Sequence, residues 1–588
     1  MTSITKHLST LVGDGFAARG LDPAFGEVAV SQRPELADFQ CNGAMAAAKG
    51  AGRAPRDLAE AVVAAVDPGE VIQSLEVAGP GFINMRLTDG YVASVAAEMA
   101  GDERLGVPLV SPVRTIVDYG GPNVAKQLHV GHLRPAIIGE SIKRMLRFAG
   151  HDVVGDVHLG DRGAPMGQLI AIIRRRQPDL PYFDPEATHP YPKRSPVTMD
   201  DLEALYPEAA GRAASDPGFA EEVKAASLAL QRADPGYVAL WQHFRTTSIE
   251  AMRRVYETLD VHFDVWFGEA QVQDRIPGMM ERIRRAGVLT ESQGALVVEV
   301  AEPTDTAPMP PLLLVRSDGG YLYATTDLAT IEERVDDLGA EAILYVVDAR
   351  QSLHFEQLFR ACRRTGIAGP GILLEHDPFG TVNGSDGKPL RTRDGGLPAL
   401  QGLIDEAVAK AAVRLDENDL AAGYDPAERE RIATMVGVAA LKYGDLANHR
   451  TSDYIFDLHR FVSFEGKTGP YLLYGAVRIR SILRNAVERG LAPGALIAPT
   501  VPAERNLMLR LSRLEDVLAR ATELRAPNHL AEYTYDVATD FNRFYEACHI
   551  LSEPDPDRQA SWLALVGLTL RVLELLLDLL AIPIPDRM

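Results

Sequence analysis

The sequence predicts an α/β protein of several domains: a parallel sheet with crossover helices at its centre, a small α+β domain before it and an all-α domain after it. Three observations carry this. The chain has 588 residues, several times the size of an ordinary domain, so more than one hydrophobic core is expected. Between about residues 114 and 377, short β-branched runs alternate with helical runs, as they do when each strand of a parallel sheet is followed by a helix. From about Pro398 onward strand signals almost vanish and helical periodicity takes over. The boundaries read this way are 1–88, 89–397 and 398–588.

Within the first segment the pattern gives an amphipathic opening helix, an alanine-rich helix near Ala44 to Lys49, and strands near Val71 to Leu87 punctuated by Gly79-Pro80-Gly81. Arg114 to Tyr119 reads as the first strand of the parallel sheet. A helix is expected from about Gly131 to Ala149. Pro135 is tolerated in its first turn, where a missing N–H has no intrahelical partner to lose, and Gly150 supplies the stop. Val153 to Leu159 reads as the second strand. Between Gln177 and Pro235 the chain turns rich in proline, charge and helical signals, which suggests an insertion decorating the sheet. A helical run from Asp327 to Asp337 precedes another strand, Ala342 to Val347. Trp562 to Leu580 carries leucines densely enough for a buried helix of a bundle.

Composition excludes several classes. Apolar residues make up 46% and charged residues 24%, the balance of a folded soluble protein. No run approaches twenty uninterrupted apolar residues, so no membrane association is expected. The N-terminus lacks the layout of a secretory signal. Three cysteines, Cys41, Cys362 and Cys548, form no Cys-x-x-Cys pair, which argues against a disulfide framework or a cysteine zinc site and for the cytoplasm. A net charge of −21 disfavours indiscriminate polyanion binding but permits a local basic surface. Arg478, Arg480, Arg484 and Arg489 could form one, or simply a solvated helix face.

The most informative stretch is Asp118-Tyr-Gly-Gly-Pro-Asn123-Val-Ala-Lys126-Gln-Leu-His129-Val-Gly131-His132-Leu-Arg134, where the first strand turns into the first helix. Doubly wound sheets bind nucleotides at such a place. His129 and His132 can face one ligand beside the positive helix end, and Gly131 lets a flat base approach the backbone. The tetrapeptide alone is weak evidence; its context is strong.

That stretch resembles the signature of the arginyl-tRNA synthetases, a class I aminoacyl-tRNA synthetase family. The resemblance extends through Gly160-Asp161-Arg-Gly163, Tyr323-Ala-Thr-Thr-Asp327, Asp348-Ala-Arg-Gln351-Ser-Leu-His354 and Gly387-Lys388-Pro-Leu-Arg391-Thr-Arg393 to a C-terminal segment around Phe544 to Ser552. It implies a Rossmann-like class I synthetase catalytic domain, an N-terminal tRNA-contacting domain and a helical anticodon-binding domain. The implied substrates are L-arginine, ATP with Mg2+ and tRNA(Arg), with a monomeric enzyme and no dedicated protein metal site.

By the same resemblance Asp118, Asn123, Tyr323, Asp327 and Gln351 bind arginine; a guanidinium stays charged and offers a planar fork of donors that carboxylates match. His129, His132, Lys126, Lys388 and Arg393 are the catalytic set, with Gly131, His129, His132 and Lys126 at ATP. Phe82, Asn84, Tyr471, Tyr474 and Arg478 are the tRNA contacts, although in isolation Phe82 reads as core before contact and the two tyrosines at least as readily as core. Two departures stand out. Asp118 and Gly120-Gly121 replace a glutamate and serines common in relatives. The Lys388 to Arg393 loop lacks the second lysine of the class I phosphate loop, for which Lys126 substitutes in arginyl enzymes. A polar pocket for a charged side chain needs no hydrolytic editing domain. The competing readings are another class I synthetase, a silent tRNA-binding paralogue or a smaller adenylyltransferase. The absent zinc ligands, the retained Lys126, His129 and His132, and the flanking domains weigh against them in turn.

Overall fold

The computed structural model describes residues 3–187, 190–391, 398–420 and 423–588. It divides into two compact units, one formed by Met1–Val110, Ser463–Leu579 and Pro583–Met588, the other by Ser111–Val462 and Leu580–Ile582.

The first unit opens with α1 (Ile4–Ala17), β1 (Val28–Val30), β2 (Phe39–Cys41), α2 (Gly43–Ala51), α3 (Pro55–Val63), β3 (Ile72–Ala78), β4 (Phe82–Leu87) and α4 (Asp89–Gly101). The strands form an antiparallel sheet in the order β1-β2-β4-β3. The expected Gly79-Pro80-Gly81 turn joins β3 to β4: both glycines have positive φ, and a Cβ on Gly81 would lie 2.9 Å from the Pro55 backbone.

The second unit begins with β5 (Arg114–Tyr119), α5 (Leu133–Ala149) and β6 (Asp152–Asp156). Gly150, at φ 112°, ends α5 as a left-handed cap. β6 is shorter than the run to Leu159 predicts. The Asp156 carboxylate accepts the His158 backbone N–H, and His158 turns the chain at φ 39°, so only single bridges continue the pairing beyond it. Then come α6 (Ala164–Arg176), the inserted helices α7 (Met199–Ser215) and α8 (Pro217–Gln231), α9 (Pro235–Thr258) and α10 (Ile276–Arg285). An antiparallel set follows, β7 (Leu289–Ser292), β8 (Ala295–Val298) and β9 (Leu312–Val315). After α11 (Tyr323–Asp336), β10 (Ala342–Val346), α12 (Ser352–Thr365) and β11 (Leu373–His376), the parallel sheet is complete in the order β11-β10-β5-β6. Ile116, Ile343, Leu328 and Leu358 are buried in its core.

β12 (Val382–Asn383), α13 (Leu400–Glu417), α14 (Pro426–Leu446), β13 (Tyr454–Ile455) and α15 (Leu458–Phe461) also belong to this unit. Residues 398–462, helical in pattern, are thus grouped with the parallel sheet.

The first unit resumes with α16 (Gly469–Glu488), α17 (Pro502–Leu511), α18 (Leu514–Glu523), α19 (Asn528–Ala547) and α20 (Pro556–Leu579). α20 is long and apolar enough to span a membrane by composition, yet 61% of that window is buried, because its leucines pack into the bundle. Arg505 of α17 stitches this bundle to the N-terminal sheet, donating to both carboxylate oxygens of Asp38 at 2.9 and 2.7 Å, to Asp89 at 2.7 Å and to the Leu87 carbonyl at 2.9 Å.

α5 lies directly on β5 because Gly139 has no side chain; a Cβ there would come within 2.3 Å of the Tyr119 ring. Gly139→Ala is therefore expected to destabilise the second unit by roughly 1 to 3 kcal/mol, an overpacking cost read from the thermal unfolding midpoint of the full chain. An unchanged midpoint would mean that helix and strand separate without penalty.

Candidate active site

β5 is flanked by β6 on one side and β10 on the other. The chain leaves β5 for β6 and later returns on the opposite side, so the carboxyl ends of β5 and β10 form the crevice where such sheets bind ligands. A cleft of about 740 Å³ opens there, and it gathers Asp118, His129, Gly131, His132, Asp327 and Gln351 from distant parts of the sequence. Asn123, Lys126, Tyr323 and Lys388 do not border it. Asn123 sits on the exposed loop bridged to Gly160, where a Cβ would fall 2.3 Å from the Asn123 Oδ1. Lys126 is exposed and places Nζ 4.6 Å from the ring centroid of Tyr206 on inserted helix α7. Tyr323 opens α11 with 72% of its surface exposed. Lys388 is exposed on a turn, its backbone N–H donating to Asp386 at 3.1 Å. Arg393 lies outside the described residues.

The histidine turn has a defined proton arrangement. Val130–His132 form one 3₁₀ turn before α5. His129 Nδ1 accepts the Gly131 N–H at 3.1 Å, and His132 Nδ1 accepts the His129 N–H at 3.1 Å. The rings lie 4.0 Å apart. Gly131 is required, since a Cβ would lie 2.8 Å from the His129 ring. Burial, and then Lys126, lowers the His129 pKa; burial, and then His129, lowers that of His132 to about 3. Both imidazoles are therefore neutral near pH 7, and with Nδ1 occupied as an acceptor each carries its proton on Nε2. The turn offers N–H donors, not cations. Behind it Arg134 anchors α5: Nη1 donates to the Gly380 and Ser452 carbonyls at 2.7 and 3.1 Å, and Nε lies 3.0 Å from Asp445 on α14.

The loop after β12 is anchored at both described ends. Leu390 N donates to the Val382 carbonyl at 3.0 Å, and Gly384 N to the Lys388 carbonyl at 2.7 Å. On the far side Val130 N donates to Pro398 O at 2.9 Å and Leu400 N to Leu128 O at 2.8 Å, so the segment returns to the histidine turn itself. Arg391 lines the cleft.

The acidic side of the cleft is built by strand register. Asp118 pairs with Asp156 on β6 and with Tyr345 on β10, which puts the three on one face in one row. Arg334 of α11 crosses this row: its Nη2 donates to Asp118 Oδ2 and to Asp156 Oδ2, both at 2.6 Å, and its guanidinium lies 5.3 Å from the Tyr345 ring centroid. Burial raises the Asp118 pKa against the pull of Arg334. Burial opposes Asp156 too, but His158 and Arg334 hold it well below the usual carboxylate range. Asp118, Asp156 and His158 stand close enough to suggest a metal cluster, yet the cation among them is the Arg334 guanidinium. Asp327 pairs with His354 at 2.7 Å, and this hydrogen bond, against burial, raises the His354 pKa above 6.5.

The residues expected at tRNA lie in the other unit. Phe82 and Asn84 are half-buried on β4, and Asn84 accepts a hydrogen bond from Gln40 at 2.7 Å. On α16 Tyr471 accepts from Asn542 at 2.8 Å, Tyr474 is 40% exposed, and Arg478 stacks 4.3 Å from the Tyr545 ring centroid. The basic cluster expected beside them is partly neutralised: Arg480 is paired with Glu574 at 2.8 Å, and Arg484 donates to the Asp586 carbonyl at 3.4 Å.

Arg334, Asp156 and His354 received no role from the sequence. Arg334 follows Asp327 by two helical turns on one face of α11, a spacing that could have flagged it, but its partners lie on strands far away in the chain.

Comparison with known proteins completes the picture. The chain matches the family profiles "tRNA synthetases class I (R), catalytic domain" over 95–458, "DALR anticodon binding domain" over 472–588 and "Arginyl tRNA synthetase N terminal domain" over 2–87. It is 49% identical over 591 residues to an arginine–tRNA ligase of Hyphomonas neptunium and 46% over 592 residues to that of Alkaliphilus oremlandii, each alignment covering 100% of both chains. The arginyl-tRNA synthetase structures from Plasmodium falciparum and Thermus thermophilus share the fold over 100% of both chains, with TM-scores of 0.83 and 0.80 at 24% and 22% identity. The ordered motifs, the nucleotide crevice and these full-length matches agree: the chain belongs to the arginyl-tRNA synthetases of class I.

Proposed function

We propose that the cleft at the ends of β5 and β10 activates L-arginine with ATP and passes the arginyl group to tRNA(Arg). The observation that carries this is the meeting, in one crevice, of Asp118 and Asp327 with the neutral His129-His132 turn. The carboxylates suit a guanidinium; the Nε2–H groups suit phosphate oxygens.

In the first step the arginine carboxylate attacks the α-phosphorus of ATP. The bond to the bridging oxygen breaks, and pyrophosphate leaves with its electron pair. A carboxylate is already ionised and needs no general base, so His129 and His132 serve by donating from Nε2 to charge developing on the phosphates. Asp118, Asp327 and Gln351 of the cleft hold the arginine side chain; Tyr323 and Asn123, which do not border the cleft, are assigned to the arginine side chain and to its amino-acid end by the family resemblance alone. Lys126, swinging from Tyr206, joins Lys388 and Arg393 on the pyrophosphate charge; ATP brings its magnesium ion on its own phosphates. In the second step a terminal ribose hydroxyl of tRNA, the 2′-hydroxyl in class I, attacks the arginyl carbonyl carbon; the bond from that carbon to the phosphate oxygen breaks, and AMP leaves with the electron pair while its phosphate takes up the hydroxyl proton. Phe82, Asn84, Tyr471, Tyr474 and Arg478 contact the tRNA. The enzyme acts as a monomer in the cytoplasm, without an editing step.

The direct test is ATP–pyrophosphate exchange with each amino acid, with and without tRNA. Exchange with arginine in the presence of tRNA is expected, and none with arginine under any condition would sink the reading.

Three further outcomes follow from the geometry. Asp327→Asn is expected to raise the arginine KM roughly 10- to 100-fold, the worth of a charged hydrogen bond, with the ATP KM nearly unchanged. His132→Ala is expected to slow single-turnover adenylate formation by about 100- to 1,000-fold, as loss of an oxyanion donor does; a wild-type rate would remove His132 from the chemistry. Protonated His354 competes for Asp327, so the arginine KM is expected to rise as pH falls through the His354 pKa, which lies above 6.5. The rise is at most about tenfold per pH unit, set by single-proton linkage, and His354→Gln is expected to flatten it. A flat wild-type profile would show that His354 does not guard Asp327.

A further inference from the structure

Arg334 sits where an enzyme for a guanidinium substrate has most to lose from an internal guanidinium. It is 1% exposed, and a single nitrogen, Nη2, bridges Asp118 Oδ2 and Asp156 Oδ2. Its other terminal nitrogen, Nη1, is buried without a hydrogen-bond partner among the described residues. An unsatisfied buried donor is costly, so the placement favours the bridge over complete pairing of the guanidinium.

Arg334 cannot step aside when substrate enters. Leaving would take the guanidinium from Asp156, whose side chain is 1% exposed and would be left with His158, 3.7 Å away, and from the row that β5–β6 register holds together. Asp118 differs from Asp156 in one respect. Its side chain keeps 10% of its surface open and lines the cleft, and among the described residues its carboxylate hydrogen bond runs through Oδ2 alone. A carboxylate fixed by one oxygen and open at the other is oriented without being consumed.

Resting on the reading of Asp118 as a guanidinium ligand, we propose that Arg334 is a positioning residue for arginine recognition: it clamps Asp118 by Oδ2 so that Oδ1 faces the guanidinium of the substrate. Asp156 is the fixed support of the clamp. The internal guanidinium thus occupies one oxygen of the carboxylate and leaves the other to the substrate, so both cations share Asp118 without exchanging places.

The test is steady-state aminoacylation of tRNA(Arg) by the full chain, with arginine and ATP varied separately. Arg334→Met removes the cation and keeps a stem of similar length; it is expected to raise the arginine KM roughly tenfold or more while the ATP KM stays within about twofold, since one charged hydrogen bond's worth of orientation is lost at one substrate. Arg334→Lys, which retains a cation, is expected to recover most of that loss. Arg334→Met with Asp156→Asn removes the cation together with one of its two acids, so the double variant is expected to fold even if the single variant does not, and still to show the raised arginine KM. An unchanged arginine KM in the double variant, or arginine and ATP KM values rising together, overturns the proposal. Asp118→Asn in the same assay separates the two levels: if it leaves the arginine KM unchanged, the reading of Asp118 falls and the clamp with it; if it raises that KM while the Arg334 variants do not, the clamp alone falls.

Discussion

Two carboxylates buried side by side on neighbouring strands repel each other and lose their hydration, a penalty that a fold tolerates only with a cation between them. Asp118 and Asp156 are in that position by register, and Arg334 is the cation. Much of the cleft depends on this contact. It ties α11 across the ends of β5 and β6, and α11 carries Tyr323 and Asp327 on its opening turns. The acidic wall and the internal base that makes it tolerable come from one packing arrangement.

The other wall of the cleft is built on different chemistry. Both histidines have their Nδ1 atoms occupied by backbone N–H groups, and burial keeps the rings neutral. Donors fixed before the ligand arrives need no reorganisation when charge develops. Gly131 gives the turn its closeness, Arg134 fixes the helix behind it through Gly380, Ser452 and Asp445, and the backbone hydrogen bonds of Pro398 and Leu400 hold the start of α13 against the same turn. The cleft therefore presents an anionic region and a proton-donating region, which is the division that a cationic amino acid and a nucleotide triphosphate require.

Local sequence signals found the scaffold with few errors. Arg114–Tyr119 forms the strand that its β-branched run predicts, and α5 stops at Gly150 because only a residue free to adopt positive φ ends it there. β6 fell short of its apolar run because Asp156 caps the backbone of His158, a side-chain interaction that periodicity does not encode. The domain to which a helical stretch belongs was also hidden: residues 398–462 have the pattern of the C-terminal helices but belong to the same compact unit as the parallel sheet, since amphipathicity shows that a face is buried and not what covers it.

By itself the sequence determined the alternation of strands and helices, and it singled out the turn at His129-Val130-Gly131-His132 and the acids Asp118 and Asp327, which line one cleft, because each is written in contiguous residues or in motifs with fixed spacing. Tertiary structure alone decided that Asp118 shares a guanidinium with Asp156, that His354 pairs with Asp327, that Lys126 rests on Tyr206 and that Arg480 is paired with Glu574. These partners are brought together by strand register and helix packing between distant segments. Charge pairing acts through distance in space, and one-dimensional spacing carries no record of it.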